Sequence, residues 1–402
     1  MDASEAAKTL LTFTGDLDPN EAYAALHAHG QILQIGDRAF LVNGYDAVDR
    51  ALRDSAMQKL DAERLDAVRP GWREYRSIAL FADSMLRANP PRHTRMRRLA
   101  AGVFTARRVE GLRAVISQQV DELLDELTAY AKGLDLVARL AYPLPIGVIT
   151  ALLGVPAADR GRFRELATAL TGVLELNWSE DDRKLADAAA DELTDYFAHL
   201  VAARRADPRD DLVTALAAAH EADGERLTGD ELLANLALLL VAGFETTTNL
   251  IAGGIVLALD HPAYAGKLRD DPALAPAYVE EVLRIDPPVQ VTSRRAEGAS
   301  AIAGLAIPSG SDLLLLLGAA NRDPARFPRP DVFEPGRAGP PPLSFGGGVH
   351  YCLGAPLARL EAQIALPALL RRFPGMELIA RPRRRPRMNL RGWREVPVTL
   401  AG

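Results

Sequence analysis

The sequence predicts a mainly α chain with small β-sheets, an α+β protein arranged around one long central helix. Three observations carry that expectation. Helical spacing of apolar residues dominates from about residue 90 to 285. Strand-like pieces are few and short. One stretch, "LTGDELLANLALLLVAGFETTTNLIAGGIVLAL" (227–259), is apolar on most of its sides, as a helix through the middle of a molecule must be.

Composition bounds the rest. With 402 residues, 48% apolar and 25% charged, the chain is that of an ordinary globular protein. It is long enough to bury a large core without staples. Its single cysteine, Cys352, excludes an internal disulfide framework and suits a reducing cytosol. A net charge of −6 makes no case for nucleic acid as a partner. The N-terminal "MDASEAAKTLLTFTGD" has neither a basic n-region nor a long apolar run, so no signal peptide is expected. The most apolar stretch, Leu232 to Val241, is too short to cross a bilayer and is interrupted by Asn235. The expectation is a cytoplasmic monomer without membrane contact.

Taken in order, "QILQIGDRAFLVNG" (31–44) reads as a hairpin about a Gly-Asp turn. Residues 56–86 follow no recognisable pattern. Residues 106–131 and 179–206 carry apolar residues at three- and four-residue spacing, the second opening on Ser179 with Asp182 three residues on. The long helix opens on a capping box, Thr228 and Glu231; at roughly 30 residues it would span about 45 Å. "EEVLR" belongs to a helix that stops before Pro287 and Pro288. "PVQVTSRRA" and "LLLLLG" (313–318) are short strands, and 321–344, rich in proline, is an irregular loop. The basic run "RPRRRPRMNLRGW" reads as a solvated turn in a closing sheet rather than as an RNA- or lipid-binding patch.

The chemistry gathers at "SFGGGVHYCLGAPLARLE" (344–361). A lone cysteine is most often a small hydrophobe. Zinc would require more ligands than His350 and Cys352 supply. A cysteine nucleophile would take His350 as its base. The glycines favour another reading. Gly346, Gly347 and Gly348 permit backbone geometry closed to other residues and leave a flat surface for a large group. A helix starts after Cys352, and its free N–H groups and dipole favour a thiolate. A thiolate beside a flat surface suits a haem iron ligand.

"FGGGVHYCLG" (345–354) resembles the haem-binding signature of the cytochrome P450 superfamily at all six fixed positions: Phe345, Gly346, Gly348, His350, Cys352 and Gly354. The resemblance extends along nearly the whole chain and implies one P450 domain over 1–402. It implies haem b with the Cys352 thiolate as axial ligand. It implies a structural triad of Glu281, Arg284 and Arg337 that locks the cysteine loop. It places an acid–alcohol pair, Glu245 and Thr246, in a bent stretch of the long helix ("AGFETTTN"), with Ala242 and Gly243 against the haem, to deliver protons to bound dioxygen. His93 and Arg97, at i and i+4, Arg294 (or its neighbour Arg295) and His350 correspond to propionate contacts. The substrate walls implied are the 60–90 loop, residues 168–182, Val241 and, after the proline pair, Val289, Val291 and Thr292. Pro342 departs from the usual polar residue before the signature.

The resemblance implies a monooxygenase of the ferredoxin-dependent class. One atom of O2 enters a hydrophobic small molecule, by hydroxylation or epoxidation, as a tailoring step in natural-product biosynthesis. Electrons come from NAD(P)H through ferredoxin reductase and ferredoxin. Arg98, Arg107, Arg108 and Arg359 are candidate contacts for an acidic ferredoxin. The alternatives are oxidative coupling or rearrangement, peroxide-driven oxidation, and a non-catalytic recruitment domain.

Overall fold

Around the Gly-Asp turn, strands β1 (Ile32–Gly36) and β2 (Ala39–Val42) form the expected hairpin. With β3 (Met57–Gln58), β4 (Val291–Ala296) and β5 (Asp312–Leu316) they make a five-stranded sheet in the order β1-β2-β5-β4-β3. The β2–β5 pairing is parallel and the others are antiparallel. The computed structural model describes residues 1–12, 18–102, 104–130, 133–221 and 226–400. These divide into two compact units: residues 1–58, 112–144 and 246–402 form the first, and 59–111 and 145–245 the second. Among the described residues every paired strand lies in the first unit.

Five helices position the chemistry: α1 (Tyr45–Arg53), α2 (Arg92–Ala101), α3 (Gly229–Asp260), α4 (Ala275–Ile285) and α5 (Ala355–Arg372). In the first unit α1 covers the sheet through a core that includes Phe40, Val48, Leu52, Leu313 and Phe327. Helix α5 packs on α4 and on the 113–127 helix. The later half of α3 approaches α5 so closely that a Cβ on Gly254 would lie 2.7 Å from Leu366 Cδ1. In the second unit the Glu180–Ala206 helix packs against Arg76–Asp83 and Phe163–Leu170. Its N-terminus carries the capping box expected of Ser179 and Asp182.

Helix α3 matches the long helix expected over 227–259. It has 32 residues, about 48 Å, and is long and apolar enough to cross a membrane. Its most apolar window is 78% buried, as in the core helix of a soluble protein. Asn235, read as an interruption, is 2% exposed and fully used. Its Oδ1 accepts from the Met85 N–H (3.0 Å) and its Nδ2 donates to the Glu231 carbonyl (2.7 Å). The patternless 56–86 segment folds as two short helices, Ala62–Val68 and Arg76–Asp83, joined by a 3₁₀ turn.

Candidate functional site

The cysteine loop is built in the first unit. Its chain closes through the Cys352 N–H donating to the Phe345 carbonyl (3.0 Å). Gly354 caps α5, and Cys352, exposed and in no disulfide, sits two residues ahead of that cap. Gly346 and Gly348 are in the left-handed region (φ 69° and 64°). The space around them differs. A Cβ on Gly348 would lie 2.4 Å from the Leu52 carbonyl oxygen, and one on Gly347 3.3 Å from Leu52 Cβ. Two of the three glycines therefore admit the end of α1. Only Gly346, whose nearest neighbour is the His350 oxygen at 4.0 Å, has open space at its Cβ position. The single flat surface expected over all three glycines is thus confined to Gly346.

Glu281, Arg284 and Arg337 come together behind this loop. Glu281, 4% exposed, takes both Arg284 Nε and Nη2 at 2.8 Å, Arg337 Nε at 3.2 Å and the Glu334 N–H at 2.8 Å. Arg284 spends its other donors on the carbonyls of Asn321, Pro330 and Val332. A loop without strand or helix from 321 to 342 thus has its backbone acceptors met by two buried cations. Arg359, offered as a ferredoxin contact, is part-exposed and already paired. It forms a bidentate pair with Glu280 (2.5 and 3.1 Å), donates to the Tyr351 hydroxyl (3.0 Å) and stacks on the Phe345 ring (4.5 Å). Burial opposes its charge, but Glu280 and Tyr351 outweigh that and raise its pKa. Arg98, Arg107 and Arg108 are exposed.

Strand β4 separates the two candidate arginines. Register puts Arg295 opposite Asp312, and the two pair at 2.8 Å. Arg294 is 3% exposed and, among the described residues, has no carboxylate partner. Its Nη1 reaches only the Ser293 carbonyl (2.9 Å) and the Thr292 hydroxyl (3.5 Å). Burial lowers its pKa to about 10. A buried guanidinium with neutral partners alone calls for an anion. Val291 is buried, whereas Thr292 and Val289 are half-buried, and Val289 packs against the sheet core.

In the second unit α2 carries His93 and Arg97. His93 is 2% exposed, and burial, with the nearby charge of Arg97, takes its pKa down to about 4. Helix α2 is fixed to α3 by a carboxylate that does more than cap a helix. Glu231 closes the capping box with Thr228 (2.9 and 3.1 Å) and also receives Arg92 (2.8 Å) and Arg95 (2.5 Å).

Helix α3 runs unbroken through "AGFETTTN". From Ala234 to Val256 all its residues are buried except Ala242, Gly243 and Thr246, an i, i+1, i+4 patch. Glu245 is 2% exposed, on another side. Val241, expected in a substrate wall, is buried, and Ala242 is the accessible residue. The Cβ position of Gly243 is filled by Ile149, whose Cγ1 would lie 2.6 Å away, so this glycine serves helix packing.

One buried acid escaped the sequence reading. Glu361 on α5 is 1% exposed, its Oε2 has no hydrogen-bond partner among the described residues, and burial raises its pKa well above the usual range. The donor set fits haem. Within the first unit a cysteine stands ahead of a helix, behind a left-handed glycine with open space, and Arg294 awaits a carboxylate such as a propionate supplies.

The family model for Cytochrome P450 matches residues 29–393. The cytochrome P450 monooxygenase PikC of Streptomyces venezuelae is 40% identical over 395 residues, covering 95% of this chain and 91% of that one. The 6-deoxyerythronolide B hydroxylase of Saccharopolyspora erythraea is 40% identical over 349 residues, 86% and 85% of the two chains. Among solved structures, P450BioI in complex with an acyl carrier protein ligated to hexadec-9Z-enoic acid superposes with a TM-score of 0.89 at 35% identity, over 98% of this chain and 99% of that chain.

Proposed function

The chain belongs to the cytochrome P450 superfamily and is a haem-thiolate monooxygenase, and from that premise we propose that it is a bacterial tailoring enzyme, hydroxylating or epoxidising a hydrophobic natural-product intermediate. The relative named as a 6-deoxyerythronolide B hydroxylase and the neighbour solved with an acyl carrier protein bearing hexadec-9Z-enoic acid support that class. In this reading residues 1–402 form one P450 domain, a cytoplasmic monomer reduced by a ferredoxin that draws on NAD(P)H through its reductase.

The observation that carries the assignment of residues is Arg294, a buried cation with neutral partners on the strand that follows the proline pair. Arg294 binds one propionate, with His93, Arg97 and His350 as the other carboxylate partners. The Cys352 thiolate ligates the iron, Phe345, Gly346 and Gly354 line that side, and the Glu281–Arg284–Arg337 network holds the loop still.

Haem bound in this way supplies the activation of dioxygen. The protein supplies position and protons. Ala242 and Thr246 present the open patch of α3, where the Thr246 hydroxyl orients dioxygen and passes a proton. Glu245, one residue away and buried, replenishes it. Apolar walls exclude bulk water and orient the substrate. The carbon monoxide spectrum of the reduced protein tests the ligand. A thiolate gives the long-wavelength band in wild type, and Cys352→Ser should lose it. Retention of that band in the variant refutes the assignment.

A further inference from the structure

Phe345 and Tyr351 are the aromatic side chains on the two sides of the glycine run that leads to Cys352, and one guanidinium reaches both. Arg359 lies with its Cζ 4.5 Å from the centroid of the Phe345 ring and donates from Nη1 to the Tyr351 hydroxyl (3.0 Å). The two rings stand 6.5 Å apart, tilted by 60°. Its other edge, Nε and Nη2, is taken by the two carboxylate oxygens of Glu280 (2.5 and 3.1 Å). All three nitrogens of the guanidinium are therefore engaged, and every one of these residues belongs to the first unit.

The cysteine segment has little else of its own to hold it. Gly346, Gly347 and Gly348 bring no side chains, and Val349 beyond them is exposed. The backbone closes in short turns, with the Tyr351 N–H on the Gly348 carbonyl (3.1 Å) and the Cys352 N–H on the Phe345 carbonyl (3.0 Å). Arg359 closes the same loop a second time, through side chains. Phe345 supplies the carbonyl that the Cys352 N–H meets, and Tyr351 is joined to Cys352 by its peptide bond. The clamp has a rigid base. Ala358 and Leu360, on either side of Arg359, are buried, and Glu280 stands on α4, which packs on α5. Neighbouring carboxylates on α4 thus hold successive stretches of chain. Glu281 holds the 321–342 loop through Arg284 and Arg337, and Glu280 holds the cysteine segment through Arg359.

The gain in folding stability from this clamp is small. The Arg359 and Glu280 side chains are 23% and 34% exposed, and ion pairs open to solvent contribute little. A guanidinium that engages three nitrogens and a ring face for so little stability acts through geometry. Its planar fork fixes direction as well as distance, which a point charge on a flexible stem does not. Groups that bond to the neighbours of a metal ligand orient that ligand and tune its metal. We propose that Arg359 is a positioning residue for the iron ligand: it fixes Phe345 and Tyr351, and through them the Cys352 sulfur, while Glu280 fixes Arg359 itself. This rests on the haem-thiolate reading and adds to it a residue that acts through the segment carrying the ligand.

The test follows the carbon monoxide complex of the dithionite-reduced holoenzyme, so that no redox partner takes part. In urea below the unfolding transition of each variant, the rate at which the long-wavelength band gives way to a short-wavelength one reads how firmly the thiolate is held. Arg359→Met should convert about fivefold faster than wild type, the upper end for a part-exposed ion pair. Arg359→Lys should convert nearly as fast as Arg359→Met, because it keeps the charge and loses the fork. Tyr351→Phe should accelerate conversion by less, and should add nothing in the Arg359→Met background. Arg372→Met, which breaks a more exposed pair with Asp125 on the same helix, should convert like wild type. A wild-type rate in Arg359→Met overturns the proposal. So does a wild-type rate in Arg359→Lys, which would make charge alone the requirement, and so does equal acceleration in Arg372→Met, which would make the effect one of general stability. If Arg359→Met fails to load haem, a wild-type rate in Tyr351→Phe overturns the proposal by itself. Absence of the long-wavelength band in wild type instead overturns the haem-thiolate reading.

Discussion

Alanine at Gly348 should be far more damaging than alanine at Gly346, although both residues have nearly the same left-handed backbone. The backbone penalty for a side chain there is about 1–2 kcal/mol at each site. At Gly346 little else is added, since the nearest atom is 4.0 Å from the new Cβ. At Gly348 the Cβ would lie 2.4 Å from the Leu52 carbonyl oxygen and 3.2 Å from Arg53 Cα. Ordinary carbon–oxygen contact is about 3.3 Å or more, so the loop or the end of α1 must retreat by roughly 1 Å. Backbone cannot swing aside as a side-chain tip can, and overpacking of this kind costs about 1–3 kcal/mol more. The total is about 2–5 kcal/mol, against 1–2 at Gly346. Urea unfolding of the ferric holoproteins, followed by far-UV circular dichroism and Soret absorbance, measures both. Gly348→Ala should also lose haem on gel filtration, because the displaced segment is the one that presents Cys352. Equal midpoints for the two variants, or a fully stable Gly348→Ala, would refute the view that this glycine exists to admit α1.

Four further outcomes are expected. Glu281→Ala leaves Arg284 and Arg337 buried without their carboxylate and should cost about 3–5 kcal/mol in chemical denaturation, whereas Glu280→Ala, whose partner Arg359 keeps Tyr351, should cost under about 1 kcal/mol. Glu361 keeps a proton in the folded state that the unfolded chain releases above its usual range, so stability falls as pH rises from there, by up to about 1.4 kcal/mol per pH unit; thermal melts from pH 5 to 8 should show this slope flattened in Glu361→Gln. Arg294→Gln should lower haem retention on dilution several-fold while Arg295→Gln, which breaks only a surface pair with Asp312, should not; equal retention would sink the propionate assignment. Thr246→Ala should keep the carbon monoxide band but divert reducing equivalents from product to hydrogen peroxide, measured as product formed per NAD(P)H consumed.

What the sequence made legible was local. The cysteine signature is contiguous, and its residues need no tertiary knowledge to be read together. Glu281 and Arg284 are one helical turn apart, so their pairing follows from helix geometry, and the capping boxes at Ser179 and Thr228 follow likewise. What failed was what depends on distant chain. Arg359 looked like a free cation because Glu280 is 79 positions away. Arg294 and Arg295 could not be ranked until register placed Asp312 opposite the second. At Gly347, Gly348 and Gly243 composition reveals a missing side chain but not whether Leu52 or Ile149 fills the gap. Asn235 read as an interruption because its partner, the Met85 N–H, lies in the one segment without a pattern.

The confinement of paired strands to one unit bears on how this protein can be changed. In the unit that holds Cys352, a one-residue insertion in β4 or β5 shifts a ladder and flips side chains to the wrong face. In the other unit the described elements are helices and turns, which accommodate length changes by sliding or re-capping at their ends. Diversity introduced in 59–90 and 163–182 should therefore yield folded, haem-loaded variants far more often than equal diversity in 289–316. Tolerance for error thus differs along the chain, and a library can vary 59–90 and 163–182 while leaving the ladders of 289–316 untouched.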